Sequence, residues 1–187
     1  MADVIKIALT GRLRSGKDSV AESLWFDHGF EPPIAFGSAL KYYADKIYAH
    51  TPRELDGKQR RMYQVFGQAV REYDPDVWIR HAEFSVEQSL NKRDTVGVVV
   101  SDLRQPNEYE WCRKNGFIIV RVNAPLEARV KRAEIAGDAF ELADLEHDTE
   151  SYVDKFEVDY EIVNEGSLAE LHADVDEMMT KITEGSR

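Results

Sequence analysis

A single cysteine, Cys112, among 187 residues excludes an intramolecular disulfide and any cysteine-based metal cluster, and reads as an ordinary helix thiol. Long apolar runs are missing too. The longest, Val96–Val100 (broken by Gly97) and Phe117–Val120, fall far short of the roughly 20 residues that cross a bilayer, so no membrane partner is expected. Positive charge is scarce: 24 Lys and Arg stand against 35 Asp and Glu, a net charge of −11, which argues against a nucleic acid polymer as partner. The start of the chain, with Asp3 ahead of a strand-like stretch, lacks the basic residues and cleavage site of a secretory signal, and the expected location is cytoplasmic.

What is present is a foldable composition, 43% hydrophobic and 32% charged, at a length that suits one domain over 1–187. The charge is uneven. From Glu134 to Glu177 sixteen acids face one base, Lys155, whereas Arg53, Lys58, Arg60, Arg61, Arg71 and Arg80 gather mid-chain, so a small anionic ligand fits where a polyanion does not.

Apolar alternation and spacing predict strands at Val4–Leu9, Ile34–Phe36, Thr95–Ser101, Phe117–Val122 and Tyr160–Val163. Helices are expected at Ser19–Asp27, Ala39–Ala49, Arg60–Tyr73, Val77–Leu90, Asn107–Lys114 and Leu126–Ala136, with a last one capped by Ser167 and running to Ile182. Strands alternating with helices indicate an α/β fold with a mainly parallel sheet, whose ligands sit at the strand C-terminal ends. The acidic stretch Gly137–Glu157 is weakly patterned and reads as a flexible connection.

Between the first strand and the first helix lies Gly11-Arg12-Leu13-Arg14-Ser15-Gly16-Lys17-Asp18-Ser19, a match to the phosphate-binding pattern G-x-x-x-x-G-K in the context that pattern requires. Glycines at positions 11 and 16 let successive N–H groups turn toward phosphate oxygens at a helix start, and Lys17 supplies a positive charge. Asp18 stands where a Ser or Thr usually follows the lysine. A magnesium contact is therefore open between Ser19, Asp18 through water, and Asp102, an acid at the end of the hydrophobic strand Val98–Asp102. Arg104, two residues on, adds a fork for phosphate. Asn91-Lys92-Arg93-Asp94 spells the guanine signature N-K-x-D but precedes a strand instead of following one, and reads as a solvated helix end.

Taken together, the loop G-x-x-x-x-G-K-D-S, Ser101-Asp-Leu-Arg-Gln-Pro-Asn-Glu108, Val163-Asn-Glu-Gly-Ser-Leu168 and the segment Tyr63–Arg71 with Asp76-Val77-Trp78 resemble the phage-type deoxynucleoside monophosphate kinases over nearly the whole chain. The resemblance implies a P-loop NTPase fold: a five-stranded parallel sheet flanked by helices, a helical substrate-binding region at 40–92 and a lid at 125–157. It implies that Gly11, Leu13, Arg14, Ser15, Gly16, Lys17, Asp18 and Ser19 bind ATP, with Arg129 also at ATP and Asn164 and Gly166 bordering the adenine. Phe36, Leu40, Lys41, Gln64, Gly67, Arg71, Trp78 and Arg104 would surround the acceptor nucleotide. Lys17, Arg104, Arg129 and Arg132 would act on the transferring phosphoryl group, the last two from the lid. His147, with no second histidine at ligand spacing, falls in the lid without a metal.

The activity so implied is transfer of the ATP γ-phosphoryl group, with Mg2+, to a (deoxy)nucleoside 5′-monophosphate by a monomer or homodimer. Two alternatives stand beside it: a kinase of the same fold with a hydroxyl acceptor such as dephospho-coenzyme A, for which Asp18 or Asp102 would be the base, and a non-catalytic nucleotide-binding regulator.

Overall fold

Largely aliphatic runs form the strands of the computed structural model, which describes residues 4–50, 60–136 and 152–185. Four parallel strands, β1 (Ile5–Thr10), β2 (Gly97–Leu103), β3 (Ile118–Asn123) and β4 (Tyr160–Val163), pair in the order β2-β1-β3-β4. In register, Ile7 lies opposite both Val99 and Ile118, and Val120 opposite Tyr160. The connecting helices are α1 (Lys17–Phe26), α2 (Phe36–Ile47), α3 (Arg60–Tyr73), α4 (Val77–Leu90), α5 (Pro106–Lys114) and α6 (Leu126–Ile135), followed by α7 (Leu168–Gly185) after the last strand.

Side-chain alternation divides the interior into two layers. Ile7, Leu9, Val99, Val120 and Val122 face α1 and α7. Ala8, Val98, Val100 and Ile119 face the other way, toward Phe36, the α4 residues Ile79, Ala82 and Val86, and Cys112 of α5. Strands buried on both faces are why the sequence shows apolar runs with little polar interruption. Among the described residues no helix is long and apolar enough to cross a membrane.

The expected fifth strand is absent from the sheet. Ile34 makes one bridge to Val100, its N–H donating to Val99 O (2.9 Å) and its carbonyl accepting from Ser101 N (2.9 Å). Pro32 and Pro33 just ahead have no N–H to give a ladder, and Phe36 already begins α2. Parallel pairing puts the four strand C-termini on one edge. The N-K-x-D stretch is at the opposite edge, where Asn91 ends α4 and Lys92 pairs with Glu31.

Candidate active site

The loop between β1 and α1 has the shape its glycines predict. Gly11 (φ 135°) and Gly16 (φ 107°) are in the left-handed region, and so is Arg14 (φ 61°). A methyl on Gly11 would lie 2.2 Å from Val122 O, and one on Gly16 2.2 Å from Asn164 Nδ2. The turn is therefore closed to any other residue at these two positions. Lys17, buried at the first turn of α1, donates from Nζ to Gly11 O (2.7 Å) and Arg12 O (2.8 Å). The Ser15 hydroxyl is buried with no hydrogen-bond partner among the described residues. A buried hydroxyl without a partner, a lysine ammonium and a helix N-terminus together fit the phosphates of a nucleotide.

Thr10 ties this loop to the next strand end by donating to Leu103 O (3.0 Å). Asp102 is thereby brought beside α2, where Oδ1 accepts from Phe36 N (2.7 Å) and Oδ2 from Gly37 N (3.0 Å). The carboxylate caps α2, leaving only its remaining lone pairs for a cation. Asp18 is exposed and Ser19 half-buried in the first turn of α1. That donor set fits a magnesium ion that takes most of its ligands from phosphate and water.

Arg129 and Arg132 do converge on the phosphate loop, but on its carbonyls. Arg132 Nη2 donates to Asn164 O (3.1 Å) and Oδ1 (2.9 Å), and Nη1 to Arg14 O and Ser15 O, both at 3.4 Å. Asn164 Nδ2 in turn donates to Ser15 O (2.9 Å), and Arg129, buried, reaches Leu13 O at 3.5 Å. The two partners Arg132 and Asn164 thus brace the carbonyls of Arg14 and Ser15 from α6 and from just past the end of β4. Gly166 is exposed beside Glu170, whose carboxylate caps α7 by accepting from Ser167 N (2.7 Å). Of the expected lid, 137–151 with His147 lies outside the described residues, as do Arg53 and Lys58. Its far end, Tyr152–Glu157, is fastened to the core by buried Val153 and to α5 by Phe156 stacked on Tyr109 at 4.7 Å.

Next to Asp102 opens a pocket of about 360 Å³. Six of the residues expected at the acceptor line it: Phe36, Leu40, Lys41, Gln64, Arg71 and Arg104, with Asp102 in the same wall. Gly67 and Trp78 do not. Trp78 is buried beneath the pocket with its indole N–H toward Gly67 O (3.4 Å), and Gly67 lets α3 approach α2, since a methyl there would meet Leu40 Cδ1 at 2.3 Å. Gly67→Ala is expected to push α2 from α3 at a cost of about 1–3 kcal/mol, lowering the melting temperature by roughly 2–10 °C. An unchanged melting temperature would show that Leu40 gives way freely.

The pocket also holds Gly37, Tyr63, Gln68, Gln105 and Glu108. Gln68 carried a readable signal, since Gln64, Gln68 and Arg71 follow helical spacing on α3. Glu108 carried less. Its Oε2 accepts from Arg104 N (3.0 Å) and Gln105 N (2.9 Å) in a capping box that starts α5, and its Oε1 is 3.7 Å from Arg71 Nη2. Burial first, then the charge of Asp102, pushes the Glu108 carboxyl up to about 7 against the pull of the two N–H groups and Arg71. Burial likewise pushes the Cys112 thiol well above its usual range, leaving it protonated.

The raised carboxyl has a stability consequence of definite sign. Between the unfolded value of 4.5 and about 7 the folded chain holds a proton the unfolded chain has released, so stability falls as pH rises through that window. The expected loss is ~3 kcal/mol, complete above pH of about 7. Urea melts of the wild type and Glu108→Gln across this range are the check, and their difference should carry the slope. A pH-independent difference would refute the shift.

No family model matches the chain, and no curated protein does. Several solved structures share its fold. A putative kinase from Chloroflexus aurantiacus aligns with 16% identity over 99% of both chains, with a TM-score of 0.59. The dephospho-CoA kinase from Campylobacter jejuni shows 17% identity over 97% of this chain and 98% of that one, TM-score 0.58. Shikimate kinase from Acinetobacter baumannii, in complex with shikimate, shows 16% identity over 96% and 95%, TM-score 0.52.

Proposed function

We propose that this chain, which has the α/β fold of the P-loop kinases, transfers the γ-phosphoryl group of ATP to a (deoxy)nucleoside 5′-monophosphate. The observation that carries the reading is one strand edge holding both the phosphate loop, with Lys17, and a pocket lined by three cations, Lys41, Arg71 and Arg104. Its volume of about 360 Å³ falls in the range of small-molecule sites.

A monophosphate acceptor is already an anion, so no residue has to remove a proton from it. The task of the protein is alignment and charge neutralisation. Loop N–H groups and Lys17 hold the donor phosphates, Arg71 and Lys41 hold the acceptor, and Arg104 stands at the strand end between them. Alignment lowers a barrier by roughly 7–11 kcal/mol in favourable cases. Magnesium, held through Asp18 or Ser19 with Asp102 nearby, supplies further neutralisation of phosphate charge when bound.

One observation favours a second reading. Glu108 lines the pocket with a carboxyl near 7, a value suited to a general base, and a base is what a hydroxyl acceptor requires. A panel of acceptors with ATP, read as ADP formation, separates the two. The first reading expects turnover with deoxynucleoside monophosphates and none with dephospho-coenzyme A, shikimate or free nucleosides. Turnover of hydroxyl acceptors alone would replace it with the second, and turnover of none would leave a nucleotide-binding regulator.

A further inference from the structure

The Arg71–Glu108 pair is an unusual contact for a pocket wall. Glu108 is 3% exposed, yet its only charged partner within 4 Å among the described residues is Arg71, 3.7 Å away and not hydrogen-bonded to it. The Arg71 guanidinium donates no hydrogen bond among the described residues, and its side chain is 26% exposed toward the pocket it lines. A planar guanidinium in that state is open to a better, bidentate partner such as a phosphate or sulfate group.

We propose that Glu108 is a proton-accepting counter-ion within the pocket: when an oxyanion takes the Arg71 guanidinium, Oε1 of Glu108 picks up a proton from solvent. One O–H bond forms on Glu108, and no bond in the ligand breaks. The inference rests on the reading that this pocket receives an anion, and it adds that anion binding and proton uptake are one event.

The argument is a matter of where the carboxyl can go. Oε2 is bonded to the N–H groups of Arg104 and Gln105, so Glu108 cannot swing out to water without uncapping α5. An interior carboxylate that loses its cation is costly, and neutralisation in place is the cheaper outcome. The surrounding charges are of both signs. From β2, Asp102 adds negative charge, and on α5 itself Cys112 is neutral. The cations of the wall are Lys41 on α2 and Arg104, while Tyr63 on α3 is bonded through its hydroxyl to Asp45 (2.8 Å). An arriving anion adds to the negative side of this balance. The position of the carboxyl, already pushed up to about 7, means a small further push crosses neutral pH.

Inorganic sulfate is the probe, because its charge is constant across this range and its binding does not depend on which acceptor the enzyme phosphorylates. The Glu108 carboxyl carbon of the wild-type protein is followed by NMR against pH at fixed ionic strength, with and without sulfate. The midpoint is expected to rise by about one unit or more in saturating sulfate. Sulfate affinity of the wild type should fall about four-fold or more between pH of about 7 and about 8.5, whereas Glu108→Gln, which keeps an oxygen for the α5 cap, should hold its affinity over that interval. An unmoved midpoint while the Arg71 Nε–H resonance shifts overturns the proposal. So does an equal loss of affinity in the variant, or the absence of sulfate binding at Arg71. Should Glu108→Gln fail to fold, the wild-type titration decides alone. The acceptor panel is a separate experiment, and a negative result there leaves the sulfate result interpretable.

Discussion

Lys17→Met is expected to reduce phosphoryl transfer by about three orders of magnitude while leaving the circular dichroism of the chain unchanged. Methionine matches the lysine stem in length and apolar character, so the buried part of the side chain keeps its packing. What is lost is the ammonium, which in the structure rests on Gly11 O and Arg12 O at 2.7 and 2.8 Å. Those two carbonyls lose a charged donor, a stability cost of about 1–2 kcal/mol that a folded domain of this size tolerates. Under the proposed activity the loss to catalysis is larger, because this ammonium at the first turn of α1 is the group that would meet the donor phosphates. Steady-state ADP formation alongside thermal melts tests this, and turnover within ten-fold of wild type in a folded variant would remove Lys17 from the reaction.

The second large effect is expected at the brace behind the loop. Arg132→Ala and Asn164→Ala each remove one half of a connected set that holds Arg14 O and Ser15 O. If the arginine met the phosphoryl group only in the reacting complex, its loss would lower kcat alone, and the two substitutions would multiply. A brace gives a different pattern: each single variant weakens ATP binding roughly ten-fold and lowers kcat, and the double variant is little worse than the more damaged single one. A double-mutant cycle on both parameters distinguishes the patterns. Additive effects confined to kcat would restore a direct role for Arg132 at the transferring group.

The legible parts of this protein were those written in adjacent residues. The loop Gly11–Ser19 declares its turn, its lysine and its helix in one stretch, and β1, β4, α3 and α4 follow from local periodicity. Partners far apart in sequence left no such mark. Phe36 was expected to end a strand, but the carboxylate of Asp102, 66 residues on, caps its N–H and starts a helix there. Trp78 belongs to the segment that carries the resemblance, yet its bulk is spent beneath the pocket instead of in its wall. Arg132 and Asn164 are separated by 32 positions, so only the fold shows that they meet. Glu108 was visible as part of a phrase, Gln-Pro-Asn-Glu, whose capping role is local; its contact with Arg71 is not.

Sheets have edges, and an edge strand is an invitation to another chain. Here β2 would be such an edge, and the short bridge at Ile34 answers it: Glu31 N binds Gly97 O at 2.9 Å, Ile34 N binds Val99 O, and the two prolines between them have no donor to offer outward. The opposite side ends in β4, only four residues long. Among the described residues a neighbouring polypeptide therefore finds no long ladder to extend on either side, which removes the simplest route to strand-by-strand association.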